Sequence, residues 1–219
     1  AVLRRCVVPI IALMLSNLMA GSGPSARFDR FSIDNGLSQS VGTCFVLDHK
    51  GFLWIGTQDG LNRYDGYGFK VFKTDPDDPT TLADNYIRTL YEDSKGVLWI
   101  GTDAGLSAYD RTTNRFSNHQ HVPNNPNSLI NNRVWALCED DRKQLWIGTD
   151  GGVCRMEIDP EGDTRFVRYS HHPDDPNSLA SPIIRGICRD PKGGLWIGSA
   201  NGLNHYDPGQ DHFTRYQHN

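Results

Sequence analysis

The chain has 219 residues, of which 22 are basic and 26 acidic, so its formal charge at pH 7 is −4. This length allows one large all-β domain or two smaller domains. Binding of nucleic acid requires a basic surface, and the acidic balance therefore argues against a nucleic-acid partner for this region. The 22 Gly and 12 Pro follow no short period, which indicates many tight turns.

The first 26 residues differ in composition from the rest. Arg4 and Arg5 precede the mostly apolar run CVVPIIALMLSNLMA, and a stretch of small residues follows it. This order is typical of a secretory signal. An uncleaved anchor is the alternative, although the run is short for a membrane helix. Residues 1–26 are therefore predicted to be a signal peptide or N-terminal anchor, and the remainder is predicted to be exported.

The pentapeptide LWIGT, written LWIGS in its last copy, occurs four times. Its tryptophans are 45, 47 and 50 residues apart, and each has an aspartate six residues before it and a glycine six residues after it. Repeats of this length indicate a propeller or another repeat array. The repeated residues are Trp54, Trp99, Trp146 and Trp196; Asp48, Asp93, Asp140 and Asp190; Gly60, Gly105, Gly152 and Gly202.

Each repeated position has a predicted structural role. The Asp-x-x-Gly pattern predicts a hairpin in which the carboxylate accepts backbone N–H groups and the glycine is left-handed; Lys143 replaces that glycine in the third copy. The pentapeptide predicts a strand with Trp and Gly on one face, where a ring and a glycine interlock neighbouring sheets. The next glycine permits a turn at positive φ, and two further strands follow.

These elements predict four short antiparallel strands for each repeat, which is one blade of a β-propeller. We therefore predict an all-β fold, a β-propeller with four four-stranded antiparallel blades present. The expected blades are 38–73, 82–119, 129–170 and 179–216.

Residues 27–37 resemble the end of a repeat although no repeat precedes them. Phe28 and Phe31 match Phe166 and Tyr169 of the third copy. We therefore predict that 27–37 supply the outer strand of a closing blade and its linker. Because an unpaired strand edge is unfavourable, this strand favours the N-terminal part of a larger propeller over a four-bladed ring.

Two further details of the repeats lead to predictions. Val41 is taken as the counterpart of Ile87, although it lies one residue further from the aspartate of its copy. Cys138 and Cys188 each lie eight residues before a tryptophan and are predicted to be small, buried and apolar.

The pattern D-x-x-G-x-L-W-I-G-T-x-x-G-L-x-x-Y-D, with Phe six residues on, resembles the two-component regulator propeller repeat over about residues 27–219. The resemblance implies the periplasmic sensor region of a membrane-bound signalling protein, first of all a hybrid histidine kinase, with a diguanylate cyclase as the alternative. It implies that kinase or cyclase activity resides in a C-terminal part. It also implies an oligosaccharide or another polar small molecule as ligand, and further blades of the same polypeptide or a homodimer of the full-length protein as partners.

The chain contains no G-x-S-x-G elbow, no H-E-x-x-H and no phosphate-binding glycine loop. No catalytic residue, metal or cofactor is therefore predicted, and this region is not expected to be an enzyme. A secreted propeller enzyme such as a lyase, and an interaction scaffold, are the alternatives.

Residues that differ between copies are better candidates for function than those that repeat. In propellers, the linker into the first strand and the turn between the second and third strands open on one face. Arginine and exposed aromatic side chains suit sugars, since they combine hydrogen bonding with stacking. The predicted ligand-binding residues are Tyr86, Arg88, Arg133, Trp135, Arg185, Asp59, Asp103 and Asp150.

Overall fold

The structure is a computed structural model that describes residues 30–159 and 161–217. The chain divides into residues 1–30 and a compact unit, Phe31–Asn219, that holds every described strand. The predicted signal or anchor at 1–26 lies outside the described residues. Within the described part, no helix has the length and apolar character needed to cross a membrane.

Sixteen strands form four antiparallel sheets, each with its strands in chain order. After a short 3-10 helix (Ile33–Asn35), blade 1 consists of β1 (Gly42–Leu47), β2 (Leu53–Thr57), β3 (Gly60–Tyr64) and β4 (Phe69–Phe72). Blade 2 consists of β5 (Ile87–Glu92), β6 (Leu98–Thr102), β7 (Leu106–Asp110) and β8 (Arg115–His119). Blade 3 consists of β9 (Val134–Glu139), β10 (Leu145–Thr149), β11 (Val153–Ile158) and β12 (Thr164–Tyr169). Blade 4 consists of β13 (Ile184–Arg189), β14 (Leu195–Ser199), β15 (Gly202–Asp207) and β16 (His212–Tyr216).

The predicted all-β fold of four-stranded blades is confirmed, and each sheet lies within one of the four expected repeats. The first strands of successive blades contact one another, from β1 to β5, β9 and β13, so the first strands are innermost. Each blade has a leading face towards the blade before it in sequence and a trailing face towards the blade after it. Each of the three hydrophobic cores lies between the trailing face of one blade and the leading face of the next blade.

The pentapeptide interlocks the blades as predicted. Trp54 lies on the trailing face of blade 1 and is fully buried in a cluster with Leu98 and Ile100 of blade 2. A Cβ added to Gly56 would lie 2.6 Å from Cγ2 of Ile87, at the start of the next blade. The corresponding glycines of blades 2 and 3 meet a β-branched residue of the next first strand at 2.7 and 2.6 Å. The glycine is required because the next blade inserts a side chain there, and in blades 1 and 2 also because Cys44 or Thr89 of the same blade lies equally close.

In the first three blades, the aspartate of the hairpin turn has a partner that the sequence did not predict. In blade 1, the Asp48 carboxylate accepts the backbone N–H groups of Lys50 and Phe52, both at 2.9 Å. Its second oxygen also accepts the indole N–H of Trp54 at 2.7 Å. Blades 2 and 3 repeat the indole bond at 2.9 Å. The six-residue spacing thus joins the turn to the core tryptophan.

Blade 4 departs from this arrangement. Asp190 accepts the backbone N–H of Lys192, but its second oxygen contacts Nε2 of His205 at 3.0 Å. The His205 ring lies against Trp196, with 4.6 Å between the ring centroids. Trp196 is also only half-buried, unlike the tryptophans of the first three blades.

Two details of the sequence-based alignment are wrong. Ile87 pairs with Thr102, the last residue of β6, and Gly42 pairs with Thr57, the last residue of β2. Gly42, not Val41, is therefore the counterpart of Ile87. Cys188 is exposed although Cys138 is buried, as predicted. Both cysteines lie on the trailing faces of their blades. Blade 4 covers the trailing face of blade 3, which carries Cys138, whereas no described blade covers the face that carries Cys188.

The predicted outer strand at 27–37 falls only partly within the described residues, and Phe28 lies outside them. Phe31 is not in a strand. Its ring nevertheless lies against Tyr64 and Phe69 of blade 1, with centroid distances of 4.8 and 5.3 Å. Phe72, the last aromatic residue of β4, makes the equivalent contacts with Tyr109 and Phe116 of blade 2, with centroid distances of 5.4 and 5.6 Å. Phe31 thus has the position of a fourth-strand aromatic residue, while the strand itself stays a prediction.

Candidate ligand-binding face

Each first strand contains a β-bulge near its start. In blade 2, Ile87 pairs with Thr102 and Thr89 with Gly101, which leaves Arg88 unpaired. Trp135 of blade 3 and Arg185 of blade 4 occupy the same unpaired position. A bulge bends its strand and redirects the side chain of the extra residue. The side chains of three predicted site residues therefore project from their sheets at equivalent positions.

These redirected side chains stack on one another from blade to blade. The guanidinium carbon of Arg88 lies 4.4 Å from the ring centroid of Tyr86 and 3.9 Å from that of Trp135. The guanidinium carbon of Arg185 lies 4.0 Å from the Trp135 centroid. Arg88 comes from the blade before Trp135 and Arg185 from the blade after it, so the two guanidinium groups lie on opposite faces of the ring, in cation–π geometry. We call Tyr86, Arg88, Trp135 and Arg185 the bulge ladder.

Asp103 joins blade 2 to blade 3 beside the ladder. Arg88 donates to both of its carboxylate oxygens, with 2.8 Å between Nη2 and Oδ2. Arg133 of blade 3 donates from Nε to the same carboxylate at 3.2 Å. The hydrogen bond that Arg88 donates to Asp103 raises the pKa of Arg88 above its usual value, so this arginine remains charged.

Asp150 makes the corresponding connection from blade 3 to blade 4. It accepts Nη1 of Arg133 at 3.0 Å, Nε1 of Trp135 at 2.8 Å and Nη1 of Arg185 at 2.8 Å. Burial raises the pKa of this carboxyl, but the hydrogen bonds from Arg185, Trp135 and Arg133 outweigh it, and the pKa is lowered. Asp150 is therefore ionised at neutral pH and fixes three donors at once.

The structure brings seven of the eight predicted site residues together and leaves Asp59 apart. Counted from the last residue of the pentapeptide, Gln58 occupies the turn position of Asp103, and Gln58 donates to the hydroxyl of Tyr86 at 3.2 Å. Asp59 lies one residue later and pairs with Lys73 at 2.7 Å. Aligning the turns on the last pentapeptide residue would have identified Gln58. The bulges, in contrast, have no evident signal in one sequence.

The expected stacking of a sugar on Trp135 is not available, because guanidinium groups cover both faces of its ring. The accessible groups are hydrogen-bonding ones. Arg133 and Arg185 are 49% and 46% exposed, and their carboxylate partners are partly exposed. A polar depression of about 300 Å³ adjoins them, and its lining consists of Asp103, His121, Asn131, Asn132, Arg133 and Asp150. The face is suited to a ligand rich in hydroxyl or carboxylate groups.

The carboxylates of this face are occupied by arginines rather than arranged as a metal cage. Arg133 bridges Asp103 and Asp150. Within residues 30–159 and 161–217, no group of three or more His, Cys, Asp or Glu side chains is placed to hold a metal ion.

A family model described as two component regulator propeller matches the chain four times, at residues 35–59, 81–104, 128–151 and 178–201. Each match covers the end of a linker, the first two strands of a blade and the turn after them. The four blades are two component regulator propeller repeats. The same matches contain the bulge of each blade and the turn residue that faces it, so the candidate face is built from the most recognisable part of each propeller repeat.

Three of the proteins similar to these propeller repeats are a histidine kinase and two domains of hybrid two component systems. Histidine kinase P4 of Formosa agariphila is 43% identical over 56 residues, which are 26% of this chain and 4% of the kinase. The extracellular domain of BT4673 from B. thetaiotaomicron, described as a hybrid two component system, is 28% identical with a TM-score of 0.66, over 80% of this chain and 24% of that one. The corresponding domain of BT3049 is 26% identical with a TM-score of 0.63, over 85% and 31%. The chain spans less than a third of each.

Proposed function

We propose that this region is the extracytoplasmic ligand-sensing part of a membrane-bound two-component signalling protein, a hybrid sensor histidine kinase. The proposal is supported by the four matches to two component regulator propeller repeats, together with the likeness to extracellular domains of hybrid two component systems. In this proposal the region lies on the periplasmic side of the membrane. It recognises a ligand, and phosphoryl transfer belongs to another part of the protein.

The proposed ligand is an oligosaccharide or a similar polar molecule that binds at the bulge ladder. Arg133 and Arg185 each keep about half of their side chains exposed, while Asp150 fixes their direction. Such preorganised donors lose little conformational freedom on binding, which favours affinity for hydroxyl and carboxylate groups. Because Trp135 is covered on both faces, recognition rests on hydrogen bonds rather than on ring stacking.

Calorimetric titration of the chain with a panel of neutral and uronate-containing oligosaccharides tests this proposal. We expect one class to bind, and Arg133→Ala and Arg185→Ala each to weaken that binding by about tenfold or more. Arg142→Ala is the matched control, since Arg142 is an exposed arginine in the hairpin turn after β9 and lies outside the ladder. Binding that survives both Arg133→Ala and Arg185→Ala, or no binding to any member of the panel, contradicts the proposed site.

A further inference from the structure

Arg88 and Arg185 hold the same bulge position in blades 2 and 4, but their hydrogen bonds differ. Arg88 donates from Nε and Nη2 to the two oxygens of Asp103, the turn residue of its own blade. This two-point contact matches one edge of a guanidinium group to a carboxylate. Arg185 donates only from Nη1, to Asp150 of blade 3 at 2.8 Å. Its Nε and Nη2 have no hydrogen-bond partner within residues 30–159 and 161–217, and we call this edge of Arg185 the open fork.

The fork is open because blade 4 lacks a carboxylate in its turn. The residue that directly follows the pentapeptide is Asp103 in blade 2, Asp150 in blade 3 and Ala200 in blade 4. Ala200 is exposed, and its backbone N–H donates to the carbonyl of Ile183 at 2.8 Å, which holds the turn beside the segment that leads into the bulge. Blade 4 therefore presents the arginine of the ladder without the carboxylate that its counterpart in blade 2 binds.

The charges of the face are also unequal. Three guanidinium groups share two carboxylates, since Arg88 and Arg133 bind Asp103 while Arg133 and Arg185 bind Asp150. One positive charge is thus in excess, although the chain as a whole has a formal charge of −4. The side chain of Arg88 is 12% exposed and that of Arg185 is 46% exposed. The excess charge is consequently accessible at Arg185, where it favours an anionic ligand group.

We propose that the open fork of Arg185 binds a carboxylate of the ligand, which takes the place that Asp103 has on Arg88. The ligand is then an acidic oligosaccharide that contains a uronate rather than a neutral one. Trp135 lies 4.0 Å from the guanidinium carbon and Asp150 holds Nη1, so the carboxylate meets two donors that are already fixed. The inference rests on the proposed ligand-sensing function and adds the chemical group that is recognised and the atoms that recognise it.

The position of the fork can be tested without a ligand by Ala200→Asp, which supplies a carboxylate from the same turn position as Asp103. We expect NMR titration to give the new aspartate a pKa below the usual value of about 3.9, because a neighbouring guanidinium favours the charged form. Adding Arg185→Ala should return that pKa towards the usual value. The same pKa in both variants would overturn the proposal, because a carboxylate at position 200 would then not reach Arg185.

The chemistry of the ligand can be tested by calorimetric titration with each uronate-containing oligosaccharide of the panel and with its methyl ester, which keeps the hydroxyl groups but loses the charge. We expect the acid to bind the parent chain at least about tenfold more tightly than the ester. Ala200→Asp should weaken binding of the acid by about tenfold or more, because the fork is then occupied. Asn201→Asp is the matched control, since it adds the same charge one residue later, where Asp59 of blade 1 lies apart from the ladder.

The outcomes distinguish this inference from the function on which it rests. If a neutral oligosaccharide or the ester binds as tightly as the acid and Arg185→Ala weakens that binding, the carboxylate is wrong and the sensing proposal stands. Equal weakening by Ala200→Asp and Asn201→Asp would also overturn the inference, because general charge repulsion would then explain the effect. No binding to any member of the panel contradicts the sensing proposal itself, and the inference fails with it.

Discussion

At the scale of single residues, the turn aspartate connects each hairpin to the core. One oxygen of Asp140 accepts backbone N–H groups of its own turn, and the other accepts the indole of Trp146 at 2.9 Å. Asp140 is 8% exposed, and a buried carboxylate is tolerated only when its hydrogen-bonding capacity is satisfied. The indole N–H is also buried and has the same requirement. Each group therefore supplies the partner that the other needs.

Trp146→Phe should lower the free energy of unfolding by about 1–3 kcal/mol, because it keeps an aromatic ring but leaves one oxygen of Asp140 without its donor. Trp196→Phe is the matched control. Trp196 is half-buried, and Asp190 contacts His205 instead, so we expect a loss below about 1 kcal/mol. Urea unfolding at pH 7 measures both values. Equal losses would mean that the indole bond does not contribute.

At the scale of the element, the hairpin between the first and second strands imposes a left-handed residue on every blade. Gly51, Gly96 and Gly193 have φ of 86°, 81° and 106° at this position, and Lys143 has 63°. A side chain in this region costs roughly 1–2 kcal/mol, so the third blade adopts a conformation that its sequence disfavours. The other turn contacts, including the bonds to Asp140, hold the residue there.

Lys143→Gly should therefore stabilise the protein by about 0.5–1 kcal/mol, since relief of the left-handed strain exceeds the added entropy of the unfolded chain. The reverse change, Gly51→Lys, should cost about 1 kcal/mol or more. Gly51 suits the comparison because no atom lies within 4 Å of an added Cβ, so only the backbone conformation is tested. Thermal unfolding of the two variants provides the measurement, and the same sign for both would contradict the explanation.

At the scale of the whole molecule, stability comes from contacts between blades. The buried clusters each combine residues of adjacent blades, and the rings of Trp54 and Trp146 lie against tyrosines of the blades that follow, at 5.0 and 4.5 Å. The contribution of a side chain to stability consequently depends on whether another blade covers the face on which it lies. Leu106 and Leu203 hold the same position in blades 2 and 4, but one is fully buried and the other 41% exposed.

Leu106→Ala should lower the free energy of unfolding by about 2–5 kcal/mol, because it creates a cavity between blades 2 and 3. Leu203→Ala should cost less than about 1 kcal/mol while the trailing face of blade 4 is open. Chemical denaturation of both variants compares the same Leu→Ala substitution at a covered face and at an open face. A large effect of Leu203→Ala would show that this face is already covered in solution, and sedimentation would then identify the self-associated species.

The sequence predicted most of the fold because the same physical requirement recurs four times. Turn, strand and packing roles for Asp48, Trp54 and Gly60 are each supported by three further copies, and the structure agrees with them. The candidate face was predicted less completely. Its residues differ between blades, so recurrence could not locate the bulge at Arg88, whereas the turn position of Gln58 follows from aligning each turn on the last pentapeptide residue.

The sequence by itself determined the strands, the turns and the division into blades, because these depend on local periodicity and on backbone conformations that few residues adopt. Only the tertiary structure decided which residues the side chains contact. It placed Arg88 and Arg185 on the two faces of Trp135, and it showed Gly42 where the other blades carry a branched side chain. Contacts of this kind join residues about 50 positions apart in different sheets, and the sheets must be stacked before such contacts exist.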